Sequence, residues 1–379
     1  MKIVFIGQKG IPAKNGGVER YVESLALNLS QKGHEVLVYS RRNYSLGLKE
    51  YKGVKVISLP SLPGKNFEAI THTFLACLDL IFRPVDVIHF QSIGPASLMW
   101  LVKILKPRTP IVFTFHCQDY YHQKWGRLAR WYLKFGEKIG CLWADKIITI
   151  SKELNNYVTR VYQKQALYIP NGATISELMP VQDIRRFGLE ENNYLVAVSR
   201  LVRHKGLQYL IAAYKNLKTD KKLVIVGGSA YTDDYVQELH EMAKDNPNII
   251  FTGNQSGRAL AELYSNAYAF VQPSESEGLS ISLLEAMSYG RACVVSDIEA
   301  NQEALAGTGL IFKDKDINDL QSKLEFLLAN SEEIAKFGQA ALKRVKAEYD
   351  WQNIVSEIEK VYNELAPKKQ LILKKQFVK

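Results

Sequence analysis

The stretch Tyr268–Asp297, YAFVQPSESEGLSISLLEAMSYGRACVVSD, decides how the rest of the chain is read. It opens on YAFVQ and closes on ACVVS, two short runs of β-branched, aromatic and small apolar residues. Between them the apolar positions Leu283, Leu284, Ala286 and Met287 stop before Gly290. Such runs read as strands, and an apolar cluster ended by glycine reads as a short helix with its C-terminal cap. Strand, loop, helix, strand is the unit of a parallel sheet. Gly278, Ser280 and Ser282 keep Glu277 in the loop, whereas Glu285 falls inside the helix. The start of a helix is a ready anion site, because its free N–H groups and dipole favour phosphate. A carboxylate on each side of such a site suits a ligand with hydroxyls flanking a diphosphate, the layout of a nucleotide sugar.

The same alternation runs along the whole chain. KIVFI, EVLVY, VKVIS, DVIHF, IVFTF and KIITI alternate with helical segments such as Val18–Lys32 and Gly126–Trp143. The pattern breaks at Ile169-Pro170-Asn171-Gly172, and the polar stretch to Asp183 has no period, which places a domain boundary there. A second series follows, with YLVAVS, KLVIVGG, NIIF, YAFVQ, ACVVS and GLIF, before helices expected near Ile317–Ala329, Ser331–Tyr349 and Trp351–Leu365. The expected fold is α/β, with two doubly wound, Rossmann-like domains facing across a cleft and ligands at the C-terminal ends of their strands.

Composition narrows the class. A chain of 379 residues is too long for one ordinary core, and 47% hydrophobic with 23% charged residues describes a soluble globular protein. No run of eighteen apolar residues occurs, and MKIVFIGQKGIPAKNGG reads as a first strand and not as a signal peptide. Cys77, Cys117, Cys141 and Cys293 form no C-x-x-C pair, which fits a reducing cytoplasm and argues against a zinc ribbon. The net charge of +10 asks for an anionic partner: nucleic acid, anionic lipid or a phosphorylated substrate. Lys124, Arg127, Arg130, Lys134 and Lys138 alternate with Trp125, Leu128, Trp131, Tyr132, Leu133 and Phe135. That is the pattern of a basic helix at a lipid headgroup layer, and equally of a surface helix packing its aromatic face on its own domain.

In SRLVRHKG, Ser199–Gly206, a strand ends in a turn carrying Arg200, Arg203 and Lys205. Arg grips a phosphate through two donors and Lys adds a compact charge, so the turn suits a diphosphate. Any one of these cations could instead be a solvated loop residue, but Arg200 directly follows a strand. Taken together, SRLVRHKG, PSESEGLSISLLEAMSYG and the glycine loop PAKNGGVER resemble the retaining GT-B glycosyltransferases of glycosyltransferase family four. HCQDYYHQKWGRLARWYLKFGEKIG further resembles a bacterial subgroup containing rhamnosyltransferases of surface-polysaccharide assembly.

The resemblance implies an acceptor-side domain over residues 1–172 and a nucleotide-sugar-binding domain over 173–350. A C-terminal helix that packs back on the first domain, and a basic tail, take up residues 351–379. It implies that Arg200 and Lys205 hold the donor diphosphate with Gly16, Gly17 and the backbone from Gly278 through Leu279 and Ser280 to Ile281. Glu277 meets hydroxyls of the donor sugar, Glu285 the nucleotide ribose, and His116 the reacting sugar. Leu279 and Ser280 replace the family's usual aromatic and glycine, and Cys117 stands where glycine is common, which leaves the sugar open. The subgroup points to dTDP-L-rhamnose, with UDP-hexoses next, and to a glycan or polyprenyl-linked acceptor.

Family members use no metal or other cofactor. Asp314-Lys315-Asp316 spells D-x-D but precedes a helix, where Asp favours the capping position. The basic segment from Lys124 and Trp125 through Arg127, Arg130 and Lys134, with the tail Lys368–Lys375, gives an expected location in the cytoplasm, peripheral at the inner face of the membrane. Other classes share parts of this reading. A nucleotide-sugar epimerase can have the same two-domain shape, and product formation without an acceptor would mark it. A nicotinamide dehydrogenase would carry G-x-G-x-x-G after the first strand, where GQKGIPAKNGG stands instead. A nucleic-acid-binding protein would carry its cations as a stripe without deep apolar pockets, so nucleic acid is not an expected partner.

Overall fold

The near-continuous apolar runs of the sequence are what a parallel sheet covered on both faces requires. In the computed structural model, which describes residues 1–14, 16–64, 67–121, 125–230 and 232–365, they form two sheets. The first comprises β1 (Lys2–Ile6), β2 (Glu35–Arg41), β3 (Glu50–Tyr51), β4 (Val54–Leu59), β5 (Val87–Gln91), β6 (Ile111–Phe115), β7 (Lys146–Thr149) and β8 (Leu167–Tyr168). Its order is β3-β4-β2-β1-β5-β6-β7-β8. The second holds β9 (Tyr194–Val198), β10 (Lys222–Val226), β11 (Ile249–Gly253), β12 (Ala269–Gln272), β13 (Ala292–Ser296) and β14 (Leu310–Phe312). Its order is β11-β10-β9-β12-β13-β14. Two short strands lie outside the sequence reading: β3, which pairs antiparallel with β4 at the sheet edge, and β8, which extends the sheet beyond β7. Each is two residues long, too short to carry a period.

The strand orders fix where ligands can enter. In the first sheet the order runs in opposite directions on either side of β1 and β5, and in the second on either side of β9 and β12. Loops leaving neighbouring strands at such a point diverge and open a crevice. The loops after β9 and β12, which carry SRLVRHKG and PSESEGLS, are therefore side by side. Gly206 fixes their spacing. It adopts φ 69°, and a Cβ there would lie 1.8 Å from the Pro273 carbonyl oxygen, so only glycine lets the two loops touch.

The helix Trp351–Leu365 returns to the first domain. Trp351, Ile354, Val355 and Ile358 complete one core with Ile3, Phe5, Leu25 and Leu29. Glu359 pairs with Lys32 and His34, both at 2.8 Å. His89, inside β5, contacts the Tyr362 hydroxyl through Nδ1 at 2.7 Å and the Thr114 hydroxyl through Nε2 at 2.6 Å. Burial, followed by repulsion from His116, pulls the His89 pKa down to about 3. The ring is therefore neutral, donating through one nitrogen and accepting through the other. All four cysteines are free; Cys77, Cys141 and Cys293 are buried, and Cys117 is half-buried. Among the described residues, no helix is long and apolar enough to cross a membrane.

Tyr362→Phe removes one partner of a fully buried imidazole and leaves a ring nitrogen unsatisfied. The expected loss is about 1–3 kcal/mol of unfolding free energy, read from urea denaturation, with little change in the m-value.

Candidate active site

Two helix starts, one from each domain, meet across the cleft. The Ile281–Ser288 helix is capped by Ser280, whose Oγ accepts from the Leu283 N–H (3.3 Å) and donates to Gln272 Oε1 (2.5 Å). Opposite it, the Gly17–Gln31 helix begins after Gly16, which sits at φ 95°. A Cβ on Gly17 would lie 3.9 Å from Ile281 Cδ1, so the two first turns are in contact. One step earlier in the loop, a Cβ on Gly278 would fall 1.8 Å from the His116 carbonyl oxygen. Asn171 Nδ2 donates to the Leu279 carbonyl at 2.8 Å. The loop from Gly278 to Ile281 is thus held against the first domain by three separate contacts. The Leu279 side chain is buried in the core and the Ser280 hydroxyl is spent on capping, which leaves the loop its backbone for a ligand.

The charged groups are paired within this junction, with one exception. Lys205 Nζ donates to Glu277 Oε1 at 2.5 Å, and both side chains are nearly buried. Glu285 accepts from Arg20 Nη1 through Oε1, and from the Tyr264 hydroxyl through Oε2 at 2.9 Å. Burial is the largest influence on the Arg20 guanidinium and opposes its charge, but the attraction of Glu285 prevails and the pKa is raised. Arg203 faces away, paired with Glu238 and stacked 4.9 Å over the Tyr235 ring. Arg200 lines the same cavity as Lys205 and Glu277, and no carboxylate pairs with it among the described residues.

His116 ends β6 at the cleft wall. Its Nε2 donates to Gln91 Oε1 at 2.8 Å, and the Tyr21 ring meets it edge-on at 4.9 Å between centroids. Burial lowers its pKa to about 4, against a smaller opposing pull from Asp119, so the imidazole is neutral near pH 7. Burial, reinforced by Asp119, pushes the neighbouring Cys117 thiol well up, so it stays protonated.

Two cavities meet at this junction. One of about 200 Å³ is lined by Gly16, Gly17, His116, Arg200, Lys205 and Glu277, with the loop from Gly278 to Ile281. The other, of about 300 Å³, is lined by Ser24, Thr174, Ser256, Leu260, Tyr289 and Trp351. They share Arg20, Ile281 and Glu285. The first offers cations and two helix starts to an anion; the second is a mixed apolar and hydroxylic slot large enough for a planar ring.

Every residue expected at the donor site from the sequence lines the first cavity: Gly16, Gly17, His116, Arg200, Lys205, Glu277, Gly278, Leu279, Ser280, Ile281 and Glu285. Arg20, Tyr264, Asn171 and Gln91 were not singled out; Arg20 stands in the same GGVER motif, but its partner is 265 residues away. Asp316 accepts from the Asn318 and Asp319 N–H groups at 3.1 and 3.0 Å, capping the Ile317–Ala329 helix. In the Arg127–Trp143 helix, Arg127, Leu128, Arg130, Trp131, Lys134, Phe135 and Lys138 are exposed. Trp125 precedes that helix and packs against the core, so it is not part of the exposed face. Lys124 lies outside the described residues.

Two facing Rossmann-like domains with a cation-lined cleft at their junction make up the GT-B architecture. Residues 15–177 match the family model described as Glycosyltransferase Family 4, and residues 182–344 the model Glycosyl transferases group 1. The chain is a glycosyltransferase of this group 1 and family 4 type. It is 26% identical over 358 residues to an uncharacterized glycosyltransferase of Methanocaldococcus jannaschii, covering 93% of this chain and 95% of that one. Its fold is similar to that of sucrose-phosphate synthase from Thermosynechococcus elongatus, with TM-score 0.83, 23% identity, and coverage of 96% of this chain and 98% of that one. It is also similar to Anabaena HepE in complex with UDP-glucose, with TM-score 0.80, 18% identity, and coverage of 96% and 100%.

Gly278→Ala puts a methyl group where the His116 carbonyl stands, and backbone cannot yield as a flexible side chain can. The domains are expected to separate, raising the radius of gyration in small-angle scattering. Transfer should fall about a hundredfold, the cost of misplacing reacting groups by roughly 1 Å.

Proposed function

We propose that the enzyme transfers a hexosyl group from a nucleoside-diphosphate sugar to a glycan or lipid-linked acceptor, with retention of anomeric configuration, in cell-surface polysaccharide synthesis. The observation that carries the donor assignment is Arg200: a cation without an ion pair among the described residues, in a cavity where two helix starts converge. In this reading Arg200, Lys205, Gly16, Gly17 and the Gly278–Ile281 backbone hold the diphosphate, and Glu285 takes the ribose. Glu277 takes hydroxyls of the sugar, and His116, as a neutral imidazole, lies beside the reacting centre without adding charge. The bond from anomeric carbon to phosphate oxygen breaks, and the acceptor oxygen attaches on the face just vacated. The acceptor proton passes to the departing phosphate oxygen. No side chain serves as nucleophile; Glu277 positions the sugar and stabilises charge developing on it.

Leaving-group charge falls to the cations and helix starts, so transfer needs no divalent ion. The cap geometry of Asp316 supports this, since it gives the D-x-D a structural role. The resemblance of the segment after His116 favours dTDP-L-rhamnose as donor, and the UDP-glucose complex of a similar fold favours a UDP-hexose.

The acceptor side supports a membrane-bound partner. Leu128 and Trp131 are 85% and 68% exposed among the cations of their helix. Trp131 and Phe135 stack on each other with ring centroids 6.0 Å apart, and Ile104 adds an exposed side chain on a helix packed beside it. Exposed aromatics among cations suit an anionic headgroup layer, each cation contributing on the order of 1 kcal/mol. The enzyme would thus work at the inner face of the membrane.

The decisive experiment is titration with a panel of nucleoside diphosphates, followed by transfer assays with the matching sugar nucleotides in EDTA. Arg200→Met, which breaks no ion pair, should weaken the preferred nucleoside diphosphate by about 1.5–3 kcal/mol. Lys205→Ala is less clean, because it strands Glu277. Unchanged affinity in Arg200→Met would remove the diphosphate from this cavity, and transfer restored only by Mg²⁺ would reject metal independence. Product formed without an acceptor would indicate an epimerase.

For the membrane reading, co-sedimentation should occur with vesicles containing anionic lipid, fall with salt, and weaken in Arg127→Glu/Arg130→Glu/Lys138→Glu. Equal binding to neutral vesicles, or none to either, would leave the acceptor soluble.

A further inference from the structure

The carboxylate of Glu285 is fixed from both domains. Tyr264, on the Gly257–Ser265 helix of the second domain, donates to Oε2 at 2.9 Å, and Arg20, on the first helix of the first domain, donates to Oε1. Arg20 and Glu285, with Ile281, form the partition between the two cavities. A nucleotide with its diphosphate in the smaller cavity and its base in the larger must lay its ribose across that partition. A carboxylate has about four acceptor positions; two are taken, and the two left can accept a pair of ribose hydroxyls only while the carboxylate is held in this rotation.

We propose that Arg20 is a donor-positioning residue supplied across the cleft by the acceptor-side domain: it fixes the Glu285 carboxylate, so that ribose is recognised in full only when the domains are closed. This rests on the reading of Glu285 as the ribose contact. It follows that the nucleoside part of the donor, and not only its diphosphate, favours closure. Arg20 sits one turn into a helix whose start already abuts the Ile281–Ser288 helix, so the ion pair reads the same contact that brings the diphosphate groups together.

The test compares UDP and dTDP with their 3′-deoxy analogues by calorimetric titration of the full chain, since both sugars carry a 3′-hydroxyl. In the wild type, removing that hydroxyl should weaken binding about tenfold or more, as expected for a hydrogen bond to a charged group. In Glu285→Gln the penalty should shrink, and in Arg20→Met it should fall to less than about threefold. Arg20→Lys keeps the charge with fewer donors and should show an intermediate penalty, which also serves if Arg20→Met does not fold. A wild-type penalty that Glu285→Gln removes but both Arg20 variants retain in full would overturn the role of Arg20 alone. No penalty in the wild type, or one that Glu285→Gln leaves unchanged, would overturn the ribose assignment and the Arg20 proposal with it.

Discussion

The approach of Gly278 to the carbonyl of His116 sets the geometry on which the rest of the site depends. Without a side chain at Gly278, the loop after β12 can lie directly on the end of β6, backbone against backbone. That contact brings the first turn of the Ile281–Ser288 helix against the first turn of the Gly17–Gln31 helix. Two partial positive ends, which would repel if nothing lay between them, are therefore held at one point by packing and by the Asn171–Leu279 hydrogen bond. Such an arrangement is stable only if something negative compensates it. The carboxylates of Glu277 and Glu285 line the same cavity and supply negative charge there.

What was legible in the sequence follows from which features are local. Strand runs, the glycine and serines of the loop before the short helix, the glycine after it and the cations after β9 each occupy a few consecutive residues with a strong local preference. They could be read without knowing their neighbours in space. His116 and Arg200 were legible for a related reason: each immediately follows an apolar strand, and in a parallel sheet strand ends carry the ligand. Asp316 was legible as a cap because the helix after it has a clear start.

What was not legible is carried by contacts between distant segments. Arg20 and Glu285 are 265 residues apart, and Asn171 and Leu279 are 108 apart. No spacing or period connects them; only closure of one domain on the other does. Trp125 is a similar case: it precedes the exposed helix but packs, partly buried, against the core through contacts that no spacing in the sequence marks. The exposed aromatic residues of that helix are Trp131, Phe135 and Trp143.

Charge counting connects these contacts to the ligand. The two cavities at the junction are lined by four cations, Lys14, Arg20, Arg200 and Lys205, and three carboxylates, Glu23, Glu277 and Glu285, for a balance of +1. Two helix starts add roughly half a charge each, which brings the site to about +2. The diphosphate of a sugar nucleotide carries two negative charges, so a donor bound as proposed would neutralise the site. Neutral His116 keeps that balance constant above pH 5 or so, because its pKa of about 4 lies below the range in which it would add a further charge. When transfer occurs, the leaving diphosphate gains negative charge as the glycosidic bond breaks. A site near neutrality with its donor bound, and with its dipoles already oriented, then favours the charge-separated state without having to rearrange.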